Sequence, residues 1–169
     1  MFDIYVSNEQ DTVRYLLGSR SDTMIIIVGL NPSTASSEKS DTTVSKVKRA
    51  AINSGYTGFV MTNLYPLRST NPHGLPTNCN DQLLKENIKN IKNIASTQKN
   101  PVFWAAWGSD ITLRPYLKQS LLEINKIVKS LDGKWVQFGE LTKKNHPRHP
   151  SRLTYAWQFE EFDIDKYEI

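Results

Sequence analysis

The sequence predicts an α/β domain: a three-layer α/β/α sandwich around a four-stranded, mainly parallel sheet. Three observations predict it. Four short apolar runs, rich in β-branched and aromatic residues, recur along the chain. Segments with apolar residues at helical spacing separate them. Loops rich in Pro, Ser, Thr and Asn follow the strand-like runs, at the sheet end where ligands collect in such folds.

The first run, Met24-Ile25-Ile26-Ile27-Val28, is continuous and β-branched, as in a strand covered on both faces, and Gly29 stops it. Thr43 to Ser54 sets Val44, Val47, Ala50, Ala51 and Ile52 at helical spacing, with Gly55 as the stop signal. Gly58 to Leu64 is the second strand. Asp81 to Gln98 puts Leu84, Ile88, Ile91 and Ala95 on one helical face, and a surface helix explains its repeated Asn-Ile-Lys. Pro101 to Trp107 is the third strand, ended by Gly108. Ile111 to Leu131 is a third helical region. Lys134 to Phe138 is the fourth strand, closed by Gly139. No linker interrupts the 169 residues, so one domain spanning 1–169 is expected.

Bulk properties exclude several classes. No apolar run approaches the roughly 20 residues of a membrane span, and the N-terminus lacks the basic start and apolar core of a signal peptide. Cys79 is the only cysteine, which rules out an internal disulfide and a cysteine-ligated iron–sulfur cluster. His146 and His149 without a further Cys or His make a poor zinc site. A cytoplasmic monomer with no membrane partner, no metal and no cofactor is expected.

The net charge is +4. Between Lys126 and Arg152, seven Lys and Arg face only Asp132 and Glu140, a local net of +5. Between Leu153 and Ile169, five acids face only Lys166, a local net of -4. A basic region beside an acidic tail points to a polyanion-facing edge, or to ordinary solvated charge.

Two loops carry the chemistry. In Gly29-Leu30-Asn31-Pro32-Ser33-Thr34, Gly29 permits a tight exit and Pro32 stiffens the position of Asn31. An Asn held there can fix a water or a base, or simply make a turn. In His149-Pro150-Ser151-Arg152-Leu153-Thr154, Pro150 fixes the loop and His149 can donate to a developing anion. Leu153 beside arginines suits a wedge that enters a base stack, or packs on the sheet edge. No Gly-x-x-x-x-Gly-Lys-Ser/Thr pattern occurs, which argues against a P-loop.

These loops resemble the two motifs of the uracil-DNA glycosylase superfamily. Gly29-Leu30-Asn31-Pro32 is similar to the first motif of its mismatch-specific branch, and His149 to Thr154 to the second. Thr62-Asn63-Leu64 resembles the segment that reads the uracil edge, and Phe103 to Gly108 the strand before the last helix. The stretch Gly-Leu-Asn-Pro-Ser-Thr-Ala with the later Asp41-Thr42-Thr43 also resembles a family of small bacterial and phage proteins of unknown function.

The resemblance implies a uracil-DNA-glycosylase-like fold and a slow or vestigial site for deaminated bases in DNA. Asn31 and His149 would be catalytic, Asn31 positioning water and His149 stabilising the leaving base. Asn63 and Ser33 would bind the base and Leu153 would be the DNA wedge. Ser151, Arg148, Arg152, Lys143 and Lys144 would bind DNA or a protein partner. Stronger glycosylases carry Asp where Asn31 stands, and a stacking aromatic soon after, whereas no aromatic lies between Asn31 and Tyr56. Tyr65 is a candidate substitute and Asp41 an alternative acid. The implied alternative is an inactive pseudo-glycosylase that binds DNA or an acidic DNA-mimic inhibitor protein. A third is an enzyme acting on a free nucleotide. All of them require Asn31 and His149 to meet at one end of the sheet.

Overall fold

The computed structural model describes residues 2–169. Its sheet has seven strands, β1 (Ile4–Ser7), β2 (Arg14–Ser19), β3 (Met24–Gly29), β4 (Gly58–Asn63), β5 (Val102–Ala105), β6 (Lys134–Phe138) and β7 (Phe159–Glu161). The spatial order is β1-β2-β4-β3-β5-β6-β7. Pairings among β4, β3, β5 and β6 are parallel. Those of β1 with β2, β2 with β4 and β6 with β7 are antiparallel. Three helices, α1 (Thr42–Asn53), α2 (Asp81–Ala95) and α3 (Pro115–Ser130), complete the fold.

This corrects the expected uracil-DNA-glycosylase-like sandwich with a four-stranded, mainly parallel sheet: the sheet is seven-stranded and mixed. The three additional strands escaped the hydrophobic pattern for physical reasons. β1 and β7 are edge strands of four and three residues, and most of their positions are only partly covered. β2 is buried along nearly its whole length but begins with Arg14, a charged residue 2% exposed. The third helical region also divides. A 3-10 turn at Ser109–Leu113 precedes Arg114, and Pro115 then opens α3, where its missing N–H costs nothing.

The centre follows from side-chain alternation along β3. Ile26 and Val28 point to one face with Leu84, Ile91, Phe103, Leu117, Leu121 and Ile124, and so meet α2 and α3. Ile25 and Ile27 point to the other face with Val44, Val47, Ala50, Phe59, Met61 and Trp104, and so meet α1. Asp41 caps α1 by accepting from the Val44 amide at 2.8 Å, and Asn80 caps α2 by accepting from the Leu83 amide at 3.1 Å. No helix among the described residues is long and apolar enough to cross a membrane.

β3 sits between its two parallel neighbours, β4 and β5. The connection from β3 through α1 to β4 runs over one face, and that from β5 through α3 to β6 over the other. Loops leaving the carboxyl ends of β3 and β5 therefore diverge, which opens a crevice between them.

Gly18 is where β2 can approach β4. A Cβ there would lie 2.0 Å from the Phe59 carbonyl oxygen and 2.9 Å from the Val60 Cα, both backbone atoms. Gly18→Ala is expected to force these strands apart and cost about 1–3 kcal/mol, read as a lower urea midpoint. An unchanged midpoint would mean the antiparallel extension carries little of the stability.

Candidate functional site

A cleft of about 550 Å³ opens at the carboxyl ends of the parallel strands. The loop after β3 contributes Leu30, Asn31 and Ser33, and the first turn of α1 contributes Thr43. From the loop after β4 come Ser69, Thr70 and Pro72. Trp107, Gly108, Ser109 and Asp110 follow β5. Thr142, Arg148, His149, Ser151 and Arg152 follow β6. Asn31 and His149 thus share one cleft, along with Ser33, Ser151, Arg148 and Arg152.

Backbone amide chemistry settles which nitrogen of His149 carries its proton. The Ser151 N–H donates to Nδ1 at 3.3 Å, and the Ser151 hydroxyl lies 2.8 Å from the same atom. An N–H can only donate, so Nδ1 is the acceptor and the neutral ring is protonated at Nε2. That Nε2–H has no hydrogen-bond partner among the described residues. Burial pushes the His149 pKa below its usual value, and Arg152 pushes the same way, while Asp110 and Asp41 oppose them. The ring is held neutral as a donor. Gly108 makes room for it: at φ 72, a Cβ on Gly108 would lie 3.3 Å from the Cβ of His149.

Asn31 has a narrower role than the sequence suggested. Its amide nitrogen donates to the Ser69 carbonyl at 2.8 Å and to the Pro32 carbonyl at 3.0 Å. Both amide protons are consumed in tying the loop after β3 to the loop after β4. Only the side-chain oxygen remains, as an acceptor. Asp41, the alternative acid, is committed to structure, with one oxygen capping α1 and the other 3.3 Å from the Ala35 amide.

Several expected site residues lie elsewhere. Asn63 is 2% exposed and does not line the cleft. Its side-chain oxygen presses on Gly29, where a Cβ would approach to 2.8 Å, and its carbonyl accepts from Asn87 at 2.8 Å. Leu153 is 8% exposed and packs with Val44, Val47 and Trp104 beneath α1, so it is a core residue and projects no wedge. Tyr65 is fully buried, its hydroxyl accepting from the Asn80 amide at 3.1 Å, and stacks on Tyr116 rather than on any ligand. Lys143 and Lys144 are exposed on the turn before His146 and line no part of the cleft.

Other residues carry the site and were not read from the sequence. Asp110 supplies a half-buried carboxylate to the cleft. A Gly-Ser-Asp directly after a buried strand was the available signal. Trp107 is held from behind. Its Nε1–H donates to the Tyr167 hydroxyl at 3.0 Å, and that hydroxyl lies 2.8 Å from Nδ1 of His146. The one hydroxyl thus links the loop after β5 to the loop after β6. Burial, with Lys144 second, lowers the His146 pKa and favours the neutral ring. Among the described residues no group of three His, Cys, Asp or Glu side chains could hold a metal ion.

Fold and site together define an α/β protein with a polar ligand cleft at the carboxyl ends of its parallel strands. Residues 14–151 match the family described as "Protein of unknown function (DUF1643)", and the chain belongs to that family. No curated protein and no solved structure matches it. The glycosylase expected from the two motifs is therefore corrected. A seven-stranded mixed sheet and membership of this family support neither a glycosylase nor an inactive glycosylase-fold protein, and DNA repair, base flipping and DNA mimicry lose their basis with it.

Two outcomes check this description. Leu153→Ala is expected to cost about 2–5 kcal/mol of folding stability, as a buried Leu does; a thermal midpoint equal to wild type would put Leu153 outside the core. His146 and His149 both have folded pKa values lowered from 6.5. The folded chain then binds fewer protons than the unfolded one. Their contribution is complete above about pH 6.5 and declines as the pH falls through that value. The midpoint should drop between pH 7.5 and 5.5, and less so in His146→Gln; a flat wild-type profile over that range contradicts the assignment.

Proposed function

We propose that the cleft binds a compact, anionic small molecule, with a phosphorylated metabolite of mononucleotide size as the best fit. The observation that carries this is the convergence of three donors on one wall: Arg148, Arg152 and the Nε2–H of His149. The Arg152 side chain makes no hydrogen bond or ion pair among the described residues. Arg148 spends its Nε on the Glu140 carbonyl at 2.8 Å and lies over the Trp157 ring at 5.0 Å. That leaves its terminal nitrogens available. Thr43 brings the first turn of α1 to the same wall. The volume of about 550 Å³ falls within the roughly 300–1,000 Å³ of small-molecule sites.

The chemistry of the donors fits a phosphate. Guanidinium groups bind planar or tetrahedral oxyanions through paired N–H donors. A neutral imidazole adds a directed hydrogen bond with no charge to desolvate. Leu30, Pro72 and Trp107 supply an apolar portion that suits a ring or sugar face.

Calorimetry with inorganic phosphate, uridine and uridine 5′-monophosphate tests the proposal. The nucleotide should bind more tightly than the nucleoside, and its affinity should fall as salt rises. Arg152→Ala should weaken nucleotide binding about tenfold, the lower end for a charged hydrogen bond, with little effect on uridine. Equal affinity for uridine and its phosphate, or no binding of any phosphorylated probe, would sink it.

A further inference from the structure

The cleft has two walls of opposite character. On one, the 3-10 turn Pro150–Arg152 packs against α1 and carries the cationic and donor groups. On the other, the 3-10 turn Pro72–Gly74 packs against Ser109–Leu113, which itself packs on α3. This second wall carries Asp110. The Asp110 carboxylate makes no hydrogen bond and no ion pair among the described residues, although Arg148, Arg152 and His149 line the same cleft. The side-chain oxygen of Asn31, whose amide protons are already used, is a second acceptor in a residue lining the cleft.

We infer that Asp110 selects for ligands with an amino group, so that the molecule held here is anionic at one end and rich in N–H donors at the other. The inference rests on the anionic-ligand proposal above. A ligand that fills the cleft strips water from Asp110. A carboxylate can only accept, so the ligand must return donors to it or leave it desolvated and unpaired. A carbonyl in the same place would set lone pair against lone pair. An exocyclic amine satisfies the carboxylate, and a second N–H donor can reach the Asn31 oxygen. Sites that hydrogen-bond a specific ligand group discriminate strongly against analogues without it, because their own polar atoms are then stranded. Asp110 thus acts as a specificity-determining residue, while the opposite wall supplies affinity for the anion.

Two matched nucleotide pairs test this: cytidine with uridine 5′-monophosphate, and adenosine with inosine 5′-monophosphate. Each pair differs in an amine replaced by a carbonyl, with the adjacent ring nitrogen an acceptor in the amino member and an N–H in the other. Wild type is expected to prefer the amino member of at least one pair by about tenfold or more. Asp110→Asn presents a donor as well as an acceptor, so the preference should collapse toward unity, and Asp110→Ser should also lose it. Inorganic phosphate should still bind both variants, and at least as tightly as wild type, because each removes a negative charge from the cleft. Matching thermal midpoints would show that the variants fold. Equal affinity within both pairs in wild type, or a preference unchanged in both variants, overturns the role of Asp110 and leaves the anion site standing. Failure of all four nucleotides to bind removes both.

Discussion

One backbone carbonyl, that of Ala35, organises the loop on which the cleft depends. Arg14 and Arg68 both donate to it, each at 2.9 Å. Arg68 also donates to the Ser33 carbonyl at 2.6 Å, and its other terminal nitrogen reaches the Tyr5 hydroxyl and Asp11. Two guanidinium groups this close repel. Burial and Arg68 together push the Arg14 pKa down to about 10. The repulsion is tolerated because backbone oxygens and two carboxylates, Asp41 and Asp11, surround the pair. In return, the segment from Ser33 to Asp41 is tied at the Ser33 and Ala35 carbonyls. Asp41 can then cap α1 and accept from the Ala35 amide, so the same clamp sets where α1 begins and which side of it faces the cleft. The antiparallel strands β1 and β2 act as a buttress for the loop after β3, since Tyr5, Arg14 and Arg68 come from β1, from β2 and from the segment beyond β4.

A second tie acts from the other end of the chain. Tyr167 lies beyond the residues that match the family, yet it holds both Trp107 and His146. Trp107 belongs to the loop after β5, and His146 to the loop after β6, three residues before His149. The acidic C-terminal segment is therefore not merely a solvated end. Lys129 pairs with Asp165 at 2.7 Å, Lys118 reaches the Ile169 carbonyl at 3.0 Å, and Phe162 is buried against the core. The ion pair is exposed and contributes little. Burial of Phe162 and the Tyr167 bridge do more to hold the segment.

Legibility followed burial. Met24–Gly29 and Gly58–Asn63 are covered on both faces, and continuous apolar runs mark such strands. β2 is equally buried, but its leading Arg14 satisfies a carbonyl that only the folded chain provides, and no local pattern announces that. Of the two motif loops, position was legible and role was not. Asn31 and His149 meet because both loops leave carboxyl ends of parallel strands. Yet Leu153 reads as an exposed apolar residue between polar neighbours, and only the packing of α1 over it makes it core. The amide of Asn31 is spent on carbonyls thirty-eight residues away and next door, which spacing cannot reveal. Asp110 went unread because its significance lies in what does not contact it.

The polarity of the cleft follows from topology. Had the connections after β3 and β5 crossed the same face, one layer of helices would have roofed the strand ends and no crevice would separate them. Because they part, each wall belongs to a different layer. The α1 layer brings its N-terminus, with Arg152 and His149 packed beside it through Pro150–Arg152. The α3 layer brings the turn that holds Asp110. Opposite charges on facing walls would ordinarily collapse into ion pairs, which cancel each other and close the space. Here each wall is pinned from behind, one by the Ala35 clamp that sets α1, the other by the packing of Ser109–Leu113 on α3 and Pro72–Gly74. Charged groups anchored on separate layers remain available to a third molecule.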